Sequence, residues 1–173
     1  MSVGLTRRLA RLRVPLGFLL AAAVLVFATP TWTTWAVGFA LAITGEAIRV
    51  WAAGHLEKSS EVTRSGPYRW TRHPLYLGSS VIAAGVMLAS NSVVVAIAGT
   101  VYMVVTITAA IRTEEAFLRQ AFGDTYDRYQ RAEAEPMRRR FSLERALRNR
   151  EYRAVAGLCG GFALLALKVV LPI

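Results

Sequence analysis

Hydrophobic and polar positions fall in long blocks along this chain. The apolar blocks run from Val14 to Ala28, Trp32 to about Ala53, Leu75 to Ala89, Val93 to Ile111 and Ala154 to Val170. A helix rises 1.5 Å per residue, so about 20 apolar residues cross a bilayer, with about 17–25 observed. The first and third blocks are short by that measure, and tilt, bilayer thinning or flanking residues must make up the difference. None shows the strict alternation of strands, and a barrel would need a closed set of them. The pattern predicts an all-α, polytopic membrane bundle of about five transmembrane helices.

Composition agrees. The 173 residues suit one ordinary domain, but 54% are hydrophobic and only 18% charged, with a mean hydropathy of +0.39. A soluble domain of this size needs more polar surface to cover itself. The net charge of +10 would suit a nucleic-acid binder if it lay on one soluble face. It falls between the apolar blocks instead, so no nucleic-acid partner is expected. If each block crosses once, every Lys and Arg except Lys168 lies on one side. That side takes Arg7, Arg8, Arg11 and Arg13, then Arg49, Lys58, Arg64, Arg69 and Arg72, then the run from Arg112 to Arg153. The links Thr29 to Thr31 and Ser90 to Ser92 on the other side carry no charge. This positive-inside asymmetry places the N-terminus in the cytoplasm. The basic start also fits a signal peptide, yet no convincing small-x-small cleavage site precedes Thr31 and the next block follows at once, so the first block reads as a retained span. The single Cys159 excludes an internal disulfide and reads as small-residue packing within the last helix. Gly157 and Gly161 predict a close helix contact there, within or between chains.

Two polar blocks face the charged side, Gly54 to Pro74 and Arg112 to Arg153, and each abuts helices. Their polar groups can converge at the mouth of the bundle and serve a polar cofactor from the cytosol and a lipid from the bilayer. Gly66-Pro67 is a turn signal. His73 precedes Pro74 and so marks the start of the third helix, whose free amides suit an anion. Tyr68, Trp70 and Tyr76 offer aromatic walls, or equally an interfacial belt. Glu114 and Glu115 can hydrogen-bond a ribose or offset a cation, or serve as first-turn acids of an amphipathic helix. Arg72 can meet an anionic lipid headgroup or orient an anionic group in a site. Glu46, inside the second block, is costly if exposed to lipid, and Arg49 at i+3 is its natural partner. The chain divides into a two-helix segment (1–53), a catalytic segment holding two further spans (54–152) and a last helix (153–173).

Ser65-Gly66-Pro67-Tyr68, three residues, Arg72-His73-Pro74-x-Tyr76-x-Gly78, a helical hairpin, Glu114-Glu115, six residues and Phe122-Gly123-x-x-Tyr126-x-x-Tyr129 together resemble the isoprenylcysteine carboxyl methyltransferase family and its phospholipid methyltransferase relatives. The likeness runs from about Gly54 to Tyr129, and the stretch from Leu147 to Tyr152 leading into a last span looks like a bacterial branch. The resemblance implies a small membrane bundle in a bacterial inner membrane that binds S-adenosylmethionine at its cytosolic face. It implies cofactor contacts from Tyr68, from His73, Pro74, Leu75 and Tyr76, from Glu114, and from Val62 and Thr63 before the turn, with His55 a further member. No metal is required, because the sulfonium methyl is already activated. Arg72 is the residue to orient an anionic acceptor group, and Glu115 or His73 the base where the acceptor must lose a proton. The chain departs from the eukaryotic prenylcysteine enzymes at Ala110, where those carry a substrate-contacting arginine. The acceptor is therefore a lipophilic molecule, isoprenylcysteine carboxylate-like or phospholipid amine-like.

Two other classes share features. Membrane sterol reductases, which use a reduced nicotinamide cofactor, have a similar Arg-His-Pro-x-Tyr-x-Gly ending, but they carry more spans before it and stop soon after the tyrosine pair. A non-catalytic membrane scaffold built on the same bundle would have no need to keep His73, Tyr76 and Glu114 together.

Overall fold

The computed structural model describes residues 16–135 and 137–171. The basic start (Arg7, Arg8, Arg11, Arg13) and the first two residues of the first apolar block lie outside the described residues. The elements in chain order are α1 (Leu16–Phe27), α2 (Trp32–Ala53), a 3-10 turn (Gly66–Arg69) and α3 (Pro74–Ser90). They continue with α4 (Val93–Phe122), α5 (Asp124–Gln130), α6 (Leu143–Arg148) and α7 (Tyr152–Val170). No strand occurs among the described residues.

Helices α2, α4 and α7 are long and apolar enough to cross a membrane, and α1 and α3 are shorter apolar helices. The chain is a membrane helical bundle. Its exterior bears the outward apolar face that lipid requires: Phe18, Val93, Ile97, Val101, Val104 and Leu167 are all more than half exposed.

The helix ends follow from local chemistry. Thr31 and Thr34 cap α2 reciprocally. Pro74 is the first residue of α3, where its missing N–H leaves no bond unmade. Asn91, at φ 48°, closes α3 in the left-handed region, and Ser92 accepts from Val95 N to open α4. Nothing between Ile111 and Phe122 stops a helix, so α4 continues well beyond its apolar block. At 30 residues it is about 45 Å long, which exceeds the roughly 30 Å hydrocarbon layer. Glu114 and Glu115 therefore lie in the body of α4 and not in the first turn of a new helix. Gly123, at φ +49°, ends it.

The uncharged links meet at one end. Thr29 N donates to Ser90 O at 2.8 Å, and the Asn91 amide donates to Thr29 O at 3.1 Å. Lys168 closes the same end by donating its ammonium to Leu25 O and Val26 O, the last carbonyls of α1. Above it, Val24, Ala28, Ala42, Ala89, Val95, Phe162 and Leu165 form the buried core.

The tightest helix pair is α2 with α3. A Cβ on Gly45 would lie 2.7 Å from Gly78 O, and one on Gly78 would lie 2.6 Å from Gly45 O. Gly38 meets Gly85 and Ala89 in the same way near the other end. These backbones touch because side chains are absent, the device by which membrane helices pack closely. The expectation for α7 is not met among the described residues. Among the described residues nothing lies within 4 Å of a Cβ built on Gly157 or Gly161, and Cys159 is exposed. That face of α7 turns outward.

Candidate active site

The charged end is assembled from three segments that hold one another by charge. At the end of α2, Asn149 donates to the carbonyls of Ala53 and Leu56, both at 2.9 Å. Arg145 donates to Gly54 O and, at 2.8 Å, to Glu57. Arg139 grips both oxygens of Glu61 at 2.6 and 2.8 Å. The hydrogen bond from Arg145 holds the Glu57 carboxyl below the usual carboxylate range. These bonds strap residues 139–149 across the loop that follows α2. Arg49 of α2 binds Glu151 at the start of α7.

The loop then makes its turn against a histidine. His55 is buried, its Nδ1 is 3.0 Å from Ser65 Oγ, and its ring fills the space beside Gly66, whose φ is +56°. Burial first, then the Arg145 and Arg139 cations, push the His55 imidazole below its ordinary range. The 3-10 turn that follows seats Tyr68 inside, and Tyr129 of α5 donates to its carbonyl at 2.6 Å. Burial and then the neighbouring Glu114 drive the Tyr68 phenol upward, and burial drives Tyr129 up to about 12. Both are neutral hydroxyls at any ordinary pH. Trp70 stands outside, 77% exposed and tilted against Trp51 at 5.4 Å between centroids. It takes the interfacial place and not a wall of the site.

At the start of α3, His73 Nε2 lies 3.2 Å and Arg72 3.5 Å from the same Glu115 oxygen. Tyr126 of α5 is buried beside this group, its hydroxyl raised by burial and then by Glu115.

A cavity of about 580 Å³ opens among these elements, inside the roughly 300–1,000 Å³ range of small-molecule sites. Of the residues singled out in the sequence, Val62, Thr63, Tyr68, Arg72, His73, Pro74, Leu75, Tyr76 and Glu114 line it. His55 and Glu115 do not: His55 supports the turn from behind, and Glu115 faces Arg72 and His73. Spacing alone did not find Arg49, Thr106, Thr113, Phe117, Asn149 and Glu151, which also line it. They come from α2, α4 and the α6–α7 junction, and no local motif joins them. Ala110 is on the wall as well.

The cavity's carboxylates differ in one respect. Glu57, Glu61 and Glu151 are each ion-paired to arginine, whereas Glu114 has no ion pair among the described residues. A cavity wall with one unmatched carboxylate, four tyrosines and a helix start suits a ligand carrying hydroxyls, a positive charge and an anionic group. The family model for phospholipid methyltransferase matches residues 18–125. No curated protein and no solved structure matches the chain.

Proposed function

Because the chain belongs to the phospholipid methyltransferase family, we propose that it uses S-adenosylmethionine to methylate a lipophilic acceptor at the cytoplasmic face of its membrane. The observation that carries this reading is Glu114, the cavity carboxylate that no arginine neutralises. The residues present fit the cofactor. Glu114 can accept from ribose hydroxyls, Tyr68 and Tyr76 bound the cavity, and Pro74 and Leu75 bring the start of α3 to its wall. When bound, S-adenosylmethionine supplies an electrophilic methyl group on a sulfonium. The chain's own contribution is to hold two reactants in line and to exclude water, which can supply about 7–11 kcal/mol of barrier reduction.

The acceptor meets the cavity from the bilayer side, where Thr106, Ala110 and Thr113 of α4 lie. Arg72 is 40% exposed and answers Glu115 only at 3.5 Å, so it remains available to an anionic group such as a phosphate. The basic residues gather at the charged end, which supports a cytoplasmic placement of the site by the positive-inside rule.

Calorimetry on detergent-purified protein tests the reading, with reduced nicotinamide as a control ligand. Wild type binds S-adenosylmethionine, and Glu114→Ala weakens that binding about tenfold or more, as loss of a hydrogen bond to a charged group predicts. Folded wild type that binds no S-adenosylmethionine overturns the reading, and binding of the nicotinamide instead would assign a reductase.

A further inference from the structure

A second cavity, of about 500 Å³, opens at the charged end. It is lined by Gly66 and Arg69 of the 3-10 turn and by Glu135, Met137, Arg138 and Arg139, and it shares no lining residue with the first. Its arginines differ in state. Arg139 is committed: it grips Glu61 and also donates to His55 O at 3.2 Å. Arg69 and Arg138 are exposed, and their guanidinium groups have no ion pair or hydrogen bond among the described residues. Glu135, also exposed, has no ion pair there either. Two unanswered cations against one unanswered carboxylate leave this wall with an excess of positive charge. A concave wall focuses such a field and draws in an anion.

The depth of the cavity narrows the choice of anion. Trp70 follows Arg69 directly, and its exposed ring rests against Trp51 in the last turn of α2. Tryptophans so placed mark the headgroup level of a bilayer, which is the level of lipid phosphates. Scattered juxtamembrane arginines meet that layer as diffuse charge. Here cations from two separate segments line one concavity, and a guanidinium is shaped to hold phosphate oxygens.

We propose that the second cavity binds the headgroup of an anionic membrane phospholipid. The phosphate bridges Arg69 and Arg138, and a headgroup hydroxyl donates to Glu135. The bridge ties the turn that seats Tyr68 to the residue that precedes the strap, which Arg139 already fastens to Glu61. A bound lipid thus steadies one wall of the first cavity from outside it. This binding does not depend on the methyltransferase reading.

Calorimetric titration of the full chain in a neutral detergent tests this. The anionic probe is dihexanoyl phosphatidylglycerol, compared with dihexanoyl phosphatidylcholine and with inorganic phosphate. Wild type binds the glycerol lipid about tenfold more tightly than the choline lipid, whose ammonium offsets the phosphate, and more tightly than inorganic phosphate. The glycerol lipid also raises the melting temperature, as a ligand of the folded state must. Arg69→Gln/Arg138→Gln weakens that binding about tenfold or more and removes the thermal shift. Arg112→Gln/Arg128→Gln takes the same charge from two other exposed arginines of the charged side and leaves both effects in place. Neither double substitution removes an ion pair or a guanidinium hydrogen bond among the described residues. Equal weakening by the two variants would make the attraction one of net charge and overturn the site, as would undiminished binding to the first variant. Inorganic phosphate binding as tightly as the glycerol lipid would assign the cavity to a free anion instead. Wild type that does not distinguish the two lipids also overturns the proposal, whatever the variants do.

Discussion

His55 serves the fold at the place where the resemblance put a ligand contact. Its ring is wedged against Gly66 and bonded to Ser65, so it sets the turn that carries Tyr68 into the cavity. Burial and two arginines hold its folded pKa below the ordinary 6.5. The unfolded chain therefore takes up the proton first as pH falls, and the stability His55 contributes is complete above about 6.5 and declines below it. Thermal unfolding in detergent should show a melting temperature that falls between about pH 7 and pH 5. His55→Gln should flatten that decline, and an equally steep profile in the variant would assign the sensitivity to another group. Glu57 works in a lower window, because its folded pKa lies below the carboxylate range and its contribution is lost only as pH falls through that value. His73 and Tyr76 were legible because they share one short motif, and Glu114 because the Glu114-Glu115 pair follows it after a helical hairpin. Arg49 and Glu151 were not, since 102 positions separate them and only the folded chain brings them together.

At the scale of the element, glycine spacing predicted a contact in one helix and the fold made it in another. Gly157 and Gly161 on α7 meet no described residue, whereas Gly45 and Gly78 put α2 and α3 in backbone contact. A small-residue stripe permits close approach, but the partner must also present a small stripe at the same height. Gly38, Ala42 and Gly45 find it in Gly78, Gly85 and Ala89, while Gly157 and Gly161 of α7 find none among the described residues. Gly45→Val should destabilise by about 1–3 kcal/mol through overpacking, read as a lower melting temperature. Gly157→Val should change stability by no more than about 0.5 kcal/mol. Equal effects of the two substitutions would mean that α7 has a close partner of its own. The straps behave similarly: Asn149 and Arg145 sit in a segment rich in arginine, and nothing in its composition says which arginine closes which helix end.

Across the whole molecule, charge segregation is the organising feature. Thr29, Ser90 and Asn91 meet at one end, and the loop after α2, the end of α4 and residues 139–151 meet at the other. A bilayer enforces this sorting because each charge left in hydrocarbon is expensive. Single cysteines placed in a Cys159→Ala background report the orientation with a membrane-impermeant maleimide. Arg131→Cys should label only in inside-out vesicles and Val93→Cys only in right-side-out ones; the reverse pattern would place the cavity on the outer face.

The sequence by itself determined the class, the positions of the apolar helices, the end at which charge gathers and the cluster that begins α3. Each depends on neighbours in the chain or on one-dimensional partition between water and lipid, and such terms can be summed along a sequence. Only the tertiary structure decided which glycines meet, how far the Glu114 helix extends before Gly123 stops it, and which carboxylates remain unanswered. Those outcomes depend on which arginine reaches which glutamate first. Glu57, Glu61, Glu115 and Glu151 are satisfied by cations from distant segments, and Glu114 is left with none among the described residues. The candidate site is defined by that remainder, which no local pattern records.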